Sequence, residues 1–473
     1  MQTECNSQPI LFQELGRREV IADFNGGNIT SDGGGLLLRD INRGRRIIER
    51  FAGCFSDFRS PKHIEHTVEE LLAQRVFGIA LGYEDLNDHD RLRCDPLLAA
   101  LVGKADPLGE NRKREEDKGN ALAGKSTLNR LELTPVDADH ESRYKKIVYH
   151  RERIEYFFVE MFLNSFKKAL REIILDVDTT DDAIHGNQEG RFFHGYYDGY
   201  CYLPLYIFCG EQLLSAQLRC ADMDGAAGCK DELERIVGQI RQRWPLTRIV
   251  IRGDSGFCRD EIMSWCEAQE DVFYIFGMAK SSRLRRKLHK AMRQARNRFT
   301  ATGKAARTFK TFRYRTRKSW KRERTMVGKA EYMDKGENPR FIVTNLPRDY
   351  ASGQELYERI YCGRGDMENR IKEQQLWLFA DRTSTALMRS NQLRLWFSGV
   401  AYVLITELRR IGLRGTEMEK AQVGTIRTRL FKIGALIKVS VRRVLVTMSS
   451  AYPYAALFRQ IMRNIRACYP LRA

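Results

Sequence analysis

Two short apolar runs in the middle of the chain each end in carboxylates. The first, EIILDVDTT at 172–180, delivers Asp176 and Asp178, and the second, RIVIRGDSGF at 248–257, delivers Asp254. Unbroken runs of β-branched and aliphatic residues are typical of strands buried on both faces. Ligands of α/β proteins bind beyond the carboxyl ends of such strands. The pattern therefore predicts two buried strands that present acids at the mouth of a sheet.

The residues before these strands have a different periodicity. Apolar residues at three- and four-residue spacing in TVEELLAQRVFGIALGY and RERIEYFFVEMFLNSFKKAL predict a mostly helical region over 1–165. Near the start of this region stands REVIADFNGGNITSDGGGLLL. Polar and apolar residues alternate in its first part, glycines follow, and the last part is apolar again. That stretch predicts a β-hairpin or a tight loop.

After residue 166 the pattern predicts alternating strands and helices. A predicted hairpin, LPLYIFCG and QLLSAQLRC, follows the first acidic strand, and helices flank RIVIRGD and VFYIFGMAK. Three meandering strands followed by parallel strands predict an α/β fold with a ribonuclease-H-like catalytic core. We assign 166–282 to the first part of this core, 283–346 to a basic β-rich insertion, and 347–473 to completion of the core by a catalytic helix and a basic helical C-terminal region.

Composition narrows the class of protein. The chain has 473 residues, 43% of them hydrophobic and 30% charged, which predicts a globular protein of two to four domains. It has no apolar run long enough to span a bilayer and no signal-peptide pattern at its start, so we expect no membrane association. Eleven cysteines without a CxxC pair predict reduced thiols in a cytoplasmic protein.

Positive charge is concentrated in one block. The net charge is +19, and the segment from Lys280 to Arg324 contains 19 Lys or Arg against the single acid Glu323, a local charge of +18. Such a block predicts contact with a polyanion, here double-stranded DNA. The predicted DNA contacts in its alternating part are Arg313, Arg315, Arg317 and Lys318.

A second candidate for phosphate contact is GNALAGKS at 119–126, which matches the nucleotide-binding P-loop pattern letter for letter. A P-loop needs a buried strand before it, and the preceding NRKREEDKGN cannot form one. The following STLNRLELTP is typical of a short helix capped by Ser126 or Thr127. We therefore favour a helical DNA-binding unit with Lys125 and Arg130 facing DNA.

Acids at two strand ends, with a third from a helix, form an oxygen-ligand set suited to Mg²⁺ or Mn²⁺. Two such ions can activate a water or 3′-hydroxyl and stabilise the leaving oxygen during phosphoryl transfer. A strand-end aspartate can equally serve as a cap or turn residue. The basic block in the same chain favours the catalytic interpretation.

The third acid stands in a recognisable motif. Tyr361, Arg364 and Glu368 in IYCGRGDMENRIKEQQ form Y-x2-R-x3-E, and Asp178 opens a D-x-T match. In these features the chain resembles the DDE transposases of bacterial insertion sequences. The resemblance implies that Asp178, Asp254 and Glu368 hold the metal, with Glu373 as the reserve candidate for the third acid.

Other roles also follow only from the resemblance. It implies that Tyr361 and Arg364 contact DNA near the cleaved end. The family lysine expected seven residues after Glu368 is replaced by Gln375, and the nearest lysine, Lys372, is assigned to DNA contact.

The implied function is a bacterial cytoplasmic transposase that binds terminal inverted repeats, cleaves the strands and joins the 3′-OH to target DNA. A homodimer holding two DNA ends, with two divalent ions at each site, is the expected assembly. The alternatives are a metal-dependent nuclease on the same fold without strand transfer, and a non-catalytic DNA-binding protein or P-loop ATPase.

Overall fold

The computed structural model describes residues 9–470. By internal contacts the chain divides into two compact units. We call Met1–Val148 together with Glu407–Ala473 the terminal unit, and Tyr149–Thr406 the central unit. This division differs from the predicted boundaries, because the residues from Glu407 onwards group with the first part of the chain.

The helices of the described residues vary from single turns to the 24-residue α13. In chain order they are α1 Leu36–Arg45, α2 Ile47–Ala52, α3 Val68–Leu81, α4 His89–Leu92, α5 Pro96–Val102, α6 Lys125–Glu132, α7 Arg151–Asn164, α8 Cys229–Arg243, α9 Asp260–Ala268, α10 Ser282–Thr302, α11 Gly353–Glu355, α12 Gly365–Leu378, α13 Met388–Ile411, α14 Val423–Ile426 and α15 Ala455–Cys468.

The strands are mostly short. In chain order they are β1 Ile10–Leu15, β2 Arg18–Ala22, β3 Ile29–Thr30, β4 Phe55–Asp57, β5 Ile147–Tyr149, β6 Glu172–Thr179, β7 Asp182–Ala183, β8 Phe192–His194, β9 Gly199–Tyr202, β10 Leu205–Cys209, β11 Gln212–Gln217, β12 Arg248–Gly253, β13 Val272–Met278, β14 Ala306–Tyr314, β15 Arg324–Met333, β16 Gly336–Glu337, β17 Arg340–Thr344, β18 Ala435–Ser440 and β19 Arg443–Met448.

The central unit is built on one large mixed sheet. Its strand order is β11-β10-β6-β12-β13-β17-β15-β14, with β16 paired to β15. The neighbours β6, β12 and β13 are parallel, and the other pairings are antiparallel. Apolar residues of these strands pack with α7, α8, α9 and α10 into one core. The two runs that end in acids are therefore adjacent central strands, which explains why they are apolar on both faces.

The predicted β-rich insertion does contain strands, but they extend the core sheet. β17 pairs directly with β13, and β15 and β14 follow it outwards. The basic helix α10 precedes them and packs on β14 and β15.

Two details near the chain ends differ from the sequence-based expectation. β2 pairs with the preceding β1 and not with the apolar run that follows the glycines. That run begins α1 instead, because Leu37, Leu38 and Ile41 lie at helical spacing and are all buried.

The expected helical C-terminal region is wrong for residues 435–448, which form the hairpin of β18 and β19. The segment alternates buried Ala435 and Ile437 with exposed Lys438, and it is rich in β-branched residues. Period-two burial favours a strand over a helix. Among the described residues after α13, helix is limited to α14, a π-helical turn over Arg427–Phe431 and α15.

Within residues 9–470, no helix is long and apolar enough to cross a membrane. The ten cysteines of that range are all free thiols, and Cys5 lies outside it.

Candidate active site

Strand register brings the first two acids to one edge of the sheet. β6 and β12 are parallel, and Val177 lies opposite Gly253. The next residues along the two strands are Asp178 and Asp254. Asp254 begins a 3-10 turn, where its Oδ1 accepts a hydrogen bond from the Gly256 amide at 2.7 Å. The two carboxylates therefore leave adjacent strands at the same end, as the sequence predicts.

The third acid comes from a helix across this edge. α11, a π-helical turn over Leu356–Tyr361, a 3-10 turn over Cys362–Arg364 and α12 follow one another with right-handed helical backbone at each junction. Arg364 donates to Asp178 Oδ2 at 3.0 Å and to Glu368 Oε1 at 2.9 Å. One guanidinium thus connects the helix acid to the strand acid.

The environment of Asp178 disfavours its ionised form. Burial raises the pKa of Asp178, Arg364 lowers it, and the neighbouring carboxylates of Asp254 and Glu368 raise it again, to about 6 in sum. The pKa of Asp178 therefore responds to both of the other acids as well as to Arg364. Such clustering of like charge is typical of functional sites.

Asp176 has a separate partner. Arg252, opposite it on β12, donates from Nε at 2.5 Å and from Nη2 at 2.7 Å to the two Asp176 oxygens. A third Arg252 nitrogen donates to the Ile360 carbonyl at 2.5 Å, just before Tyr361. The Asp176 carboxylate is therefore held in a buried ion pair that links β6, β12 and the catalytic helix, and does not extend towards Glu368.

Tyr361 lies against the turn that carries Asp254. A Cβ atom placed on Gly277 of β13 would stand 2.5 Å from the Tyr361 hydroxyl, 3.0 Å from the Ser255 amide and 3.3 Å from the Asp254 carbonyl carbon. Burial is the main cause that raises the pKa of Tyr361. The signature tyrosine is thus packed beside the acids, in space that only a glycine on β13 leaves open.

The remaining positions of α12 differ in exposure. Lys372 is exposed, one turn beyond Glu368. The reserve candidate Glu373 is 2% exposed and has Arg370 at 3.6 Å, so it faces the protein interior. Gln375, at the position of the family lysine, donates to the Asp181 carbonyl and to Asp182 Oδ1, both at 3.0 Å.

The predicted DNA contacts of the basic block do not lie at the end of the sheet that carries Asp178. Pairing connects Asp176, Arg252, Ile275, Thr344, Thr325 and Arg313 in one row across six strands. Because β14 runs opposite to β6, the exposed Arg315, Arg317 and Lys318 lie further still from the end that carries Asp178. Part of the block is structural, since Arg324 is 2% exposed and pairs with Asp260 and Glu267.

The predicted contacts Lys125 and Arg130 belong to α6 in the terminal unit. Lys125 Nζ lies 3.2 Å from an Asp90 oxygen, and Arg130 is exposed beside the Tyr144 ring.

The carboxylates of Asp178, Asp254 and Glu368 are chemically suited to a divalent cation. Arg364 contacts two of them, Asp178 and Glu368. Among residues 9–470, no three His, Cys, Asp or Glu side chains stand as a group ready to hold a metal ion. Carboxylate oxygens are the ligands that Mg²⁺ and Mn²⁺ prefer. Burial is the main cause of the raised pKa of Asp178, and the carboxylates of Asp254 and Glu368 add to it.

Sequence reasoning missed Arg252 and Gly277. The sequence did contain a signal for Arg252, since it stands inside an apolar strand, where a cation needs a buried partner. Nothing local singled out Gly277, whose role comes from the approach of Tyr361 across the sheet edge.

Comparisons with known proteins identify the family of the chain. Residues 12–470 match the family described as "Transposase DDE domain group 1". A solved structure, a piggyBac transposase synaptic complex with hairpin DNA, aligns over 94% of this chain and 86% of its own, with a TM-score of 0.39 and 11% identity. No curated protein matches the sequence. Because the family match spans almost the whole chain, the chain belongs to the DDE transposases of this group, enzymes that cleave and transfer DNA strands.

Proposed function

We propose that this transposase cuts the ends of an insertion sequence and joins the freed 3′-OH to target DNA, with Asp178, Asp254 and Glu368 as its catalytic acids. The observation that carries the proposal is their convergence at one end of β6 and β12, with Arg364 connecting two of them. Acids from two adjacent strands and one helix can share cations between them and still face an open edge.

The core is proposed to be ribonuclease-H-like. The strand order β11-β10-β6-β12-β13, with an antiparallel meander followed by parallel strands, supports this assignment. In a ribonuclease-H-like sheet, the first and fourth strands, counted along the chain, lie side by side. Here those strands are β6 and β12, which carry the two aspartates.

DDE transposases generally use divalent metal ions. We infer that Asp178, Asp254 and Glu368 hold two Mg²⁺ or Mn²⁺ ions, which when bound supply a polarised nucleophile and charge stabilisation at the phosphate. Arg364 contacts one oxygen of Asp178 and one of Glu368, so it would compete with the ions for these two carboxylates. Arg364, once released from them, is positioned to contact a DNA phosphate beside Tyr361, and Lys372 adds a cation to the same helix.

The proposed partner is double-stranded DNA, as transposon end and as target, held by a homodimer. The family supports DNA as the substrate, and the +18 block supports a long phosphate contact.

The test is cleavage and joining of DNA that carries the coding region with its flanks, in Mg²⁺. We expect Asp254→Asn and Glu368→Gln to keep DNA affinity and to lose at least about 10³-fold in cleavage, because each removes a charge needed only for the chemical step. Asp366→Asn is the matched control, since Asp366 is an exposed acid on the same turn of α12.

Normal cleavage by either active-site variant would contradict the assignment of the acids. Joining of a labelled 3′-OH end to a plasmid separates transposition from simple nuclease action. Cleavage without any joined product would favour the nuclease.

A further inference from the structure

The terminal unit contains a cavity that none of the assigned roles uses. It has a volume of about 530 Å³ and lies between the segment around Arg59 to Leu71, the loop around Arg112 and the start of α6. Eight Lys or Arg side chains and three carboxylates line it, an excess of five positive charges. A half-enclosed space with such an excess is a binding site for an anion, since assembled cations repel one another unless an anion neutralises them.

The cationic side chains of the lining help to keep one histidine of the lining unprotonated. His66 is 5% exposed, and its Nε2 lies 2.9 Å from an Arg112 nitrogen. A guanidinium can only donate, so His66 accepts at Nε2 and is neutral. Burial, followed by Lys104, Arg112 and Arg59, lowers the pKa of His66 to about 3. Arg112 is held in place by the neutral His66 and by the carboxylates of Glu65 and Asp117, which lie 3.6 and 3.7 Å from its nitrogens.

Two further features identify the kind of anion. α6 begins at the cavity, where the Lys125 amide donates to Asp90 Oδ1 at 3.0 Å, and the hydroxyl residues Ser126 and Thr127 line the wall. The Tyr144 ring is 56% exposed at the same wall, with Arg130 and Arg143 guanidinium carbons 5.1 and 4.9 Å from its centre. Arginines bind phosphate, hydroxyl groups can donate to it, and an exposed aromatic ring stacks on a sugar or base.

We propose that this cavity binds the sugar–phosphate backbone of DNA, with Lys113 and Arg130 on phosphates and Tyr144 against the adjoining nucleoside. The proposal rests on DNA being the substrate. A free nucleotide fits the lining less well. No strand lies between α5 and α6 in the described chain to support a P-loop, and Lys125, at the position of its phosphate lysine, lies 3.2 Å from Asp90.

The test measures DNA binding apart from catalysis. In the full chain carrying Glu368→Gln, we compare Lys113→Gln/Arg130→Gln with Arg414→Gln/Lys420→Gln. Both pairs are exposed cations of the terminal unit, but only the first lines the cavity. The probe is a fluorescent duplex from the flank of the coding region, followed by anisotropy over a range of salt concentrations.

The cavity variant is expected to weaken binding at least about tenfold and to reduce the slope of log K against log salt by roughly 2, because each lost phosphate contact removes about 0.9. The control pair keeps wild-type affinity and slope. Tyr144→Ala weakens binding with little change of slope, since stacking carries no charge.

Equal binding by wild type and cavity variant, or equal weakening by both pairs, would overturn the proposal. ATP binding that the cavity variant abolishes while duplex affinity stays unchanged would overturn it in favour of a free nucleotide. The binding assay does not measure cleavage. Its results would therefore remain valid even if the catalytic acids were wrongly assigned.

Discussion

At the scale of single residues, the site separates two aspartates that stand two positions apart. Asp176 is neutralised by Arg252 inside the sheet, whereas Asp178 shares its field with Asp254 and Glu368. Spacing alone puts both on the same strand face. The partner on the neighbouring strand decides their roles, because a bidentate arginine occupies the carboxylate that it contacts.

Asp182 yields a pH-dependent prediction. Burial raises the pKa of this fully buried carboxyl, the Gln375 hydrogen bond lowers it, and Asp381 and Asp181 raise it, to about 8 in sum. The folded state therefore keeps a proton that the unfolded chain loses near pH 4, so stability falls as pH rises between these values. The expected slope is at most about 1.4 kcal/mol per pH unit.

Asp182→Asn cannot ionise and still accepts from Gln375, so its stability advantage over the wild type should grow from pH 5 to pH 8 in urea unfolding. Parallel stability curves would contradict this. Gln375→Lys places a lysine at the position of the family lysine, with its ammonium near Asp182. It should therefore lose less stability than the wild type as pH rises from 5 to 8.

At the scale of elements, the site depends on how closely the catalytic helix approaches β13. Tyr361 fills the space above Gly277, and the turn after β12 lies in the same space. Arg252 adds a bond from β12 to the Ile360 carbonyl of that helix. The position of Asp254 relative to Glu368 is therefore set by packing between one strand, one turn and one helix.

We expect Gly277→Ala to reduce cleavage about 10-fold to 100-fold while the protein stays folded, because overpacking costs about 1–3 kcal/mol and a shift of about 1 Å impairs catalysis. The measurement is the cleavage rate together with thermal unfolding. Gly238→Ala on α8 is the control, since a Cβ there meets nothing within 4 Å. Wild-type cleavage by Gly277→Ala would show that the packing around Asp254 is not critical.

At the scale of the whole molecule, the basic block extends past both ends of the sheet. Residues 315–318 lie beyond the row of Asp176, whereas α10 runs towards Tyr332, on the side of the acids: Arg283 lies over the Tyr314 ring and Arg296 over the Tyr332 ring. A duplex that reaches Asp178 can therefore meet the end of α10 more directly than the β14–β15 turn.

Three charge variants test this path. Arg293→Gln/Arg296→Gln/Arg298→Gln should weaken duplex binding and reduce the salt slope by up to about 2.7, at about 0.9 per contact. Arg315→Gln/Arg317→Gln/Lys318→Gln should have a smaller effect. Lys167→Gln/Lys168→Gln/Arg171→Gln, exposed cations before the start of β6, should have none. A larger loss for the turn variant would place the DNA on the other side.

The sequence by itself determined the two acidic strands, the helix that carries Glu368 and the basic block, because each is a local pattern of apolar period, charge or motif. It also predicted a mixed sheet with flanking helices. It could not show that Arg252 occupies Asp176, that Gly277 makes room for Tyr361, or that Gln375 binds Asp182. These contacts join residues far apart along the chain. Only tertiary structure decided them, since strand register and helix packing determine which side chains meet.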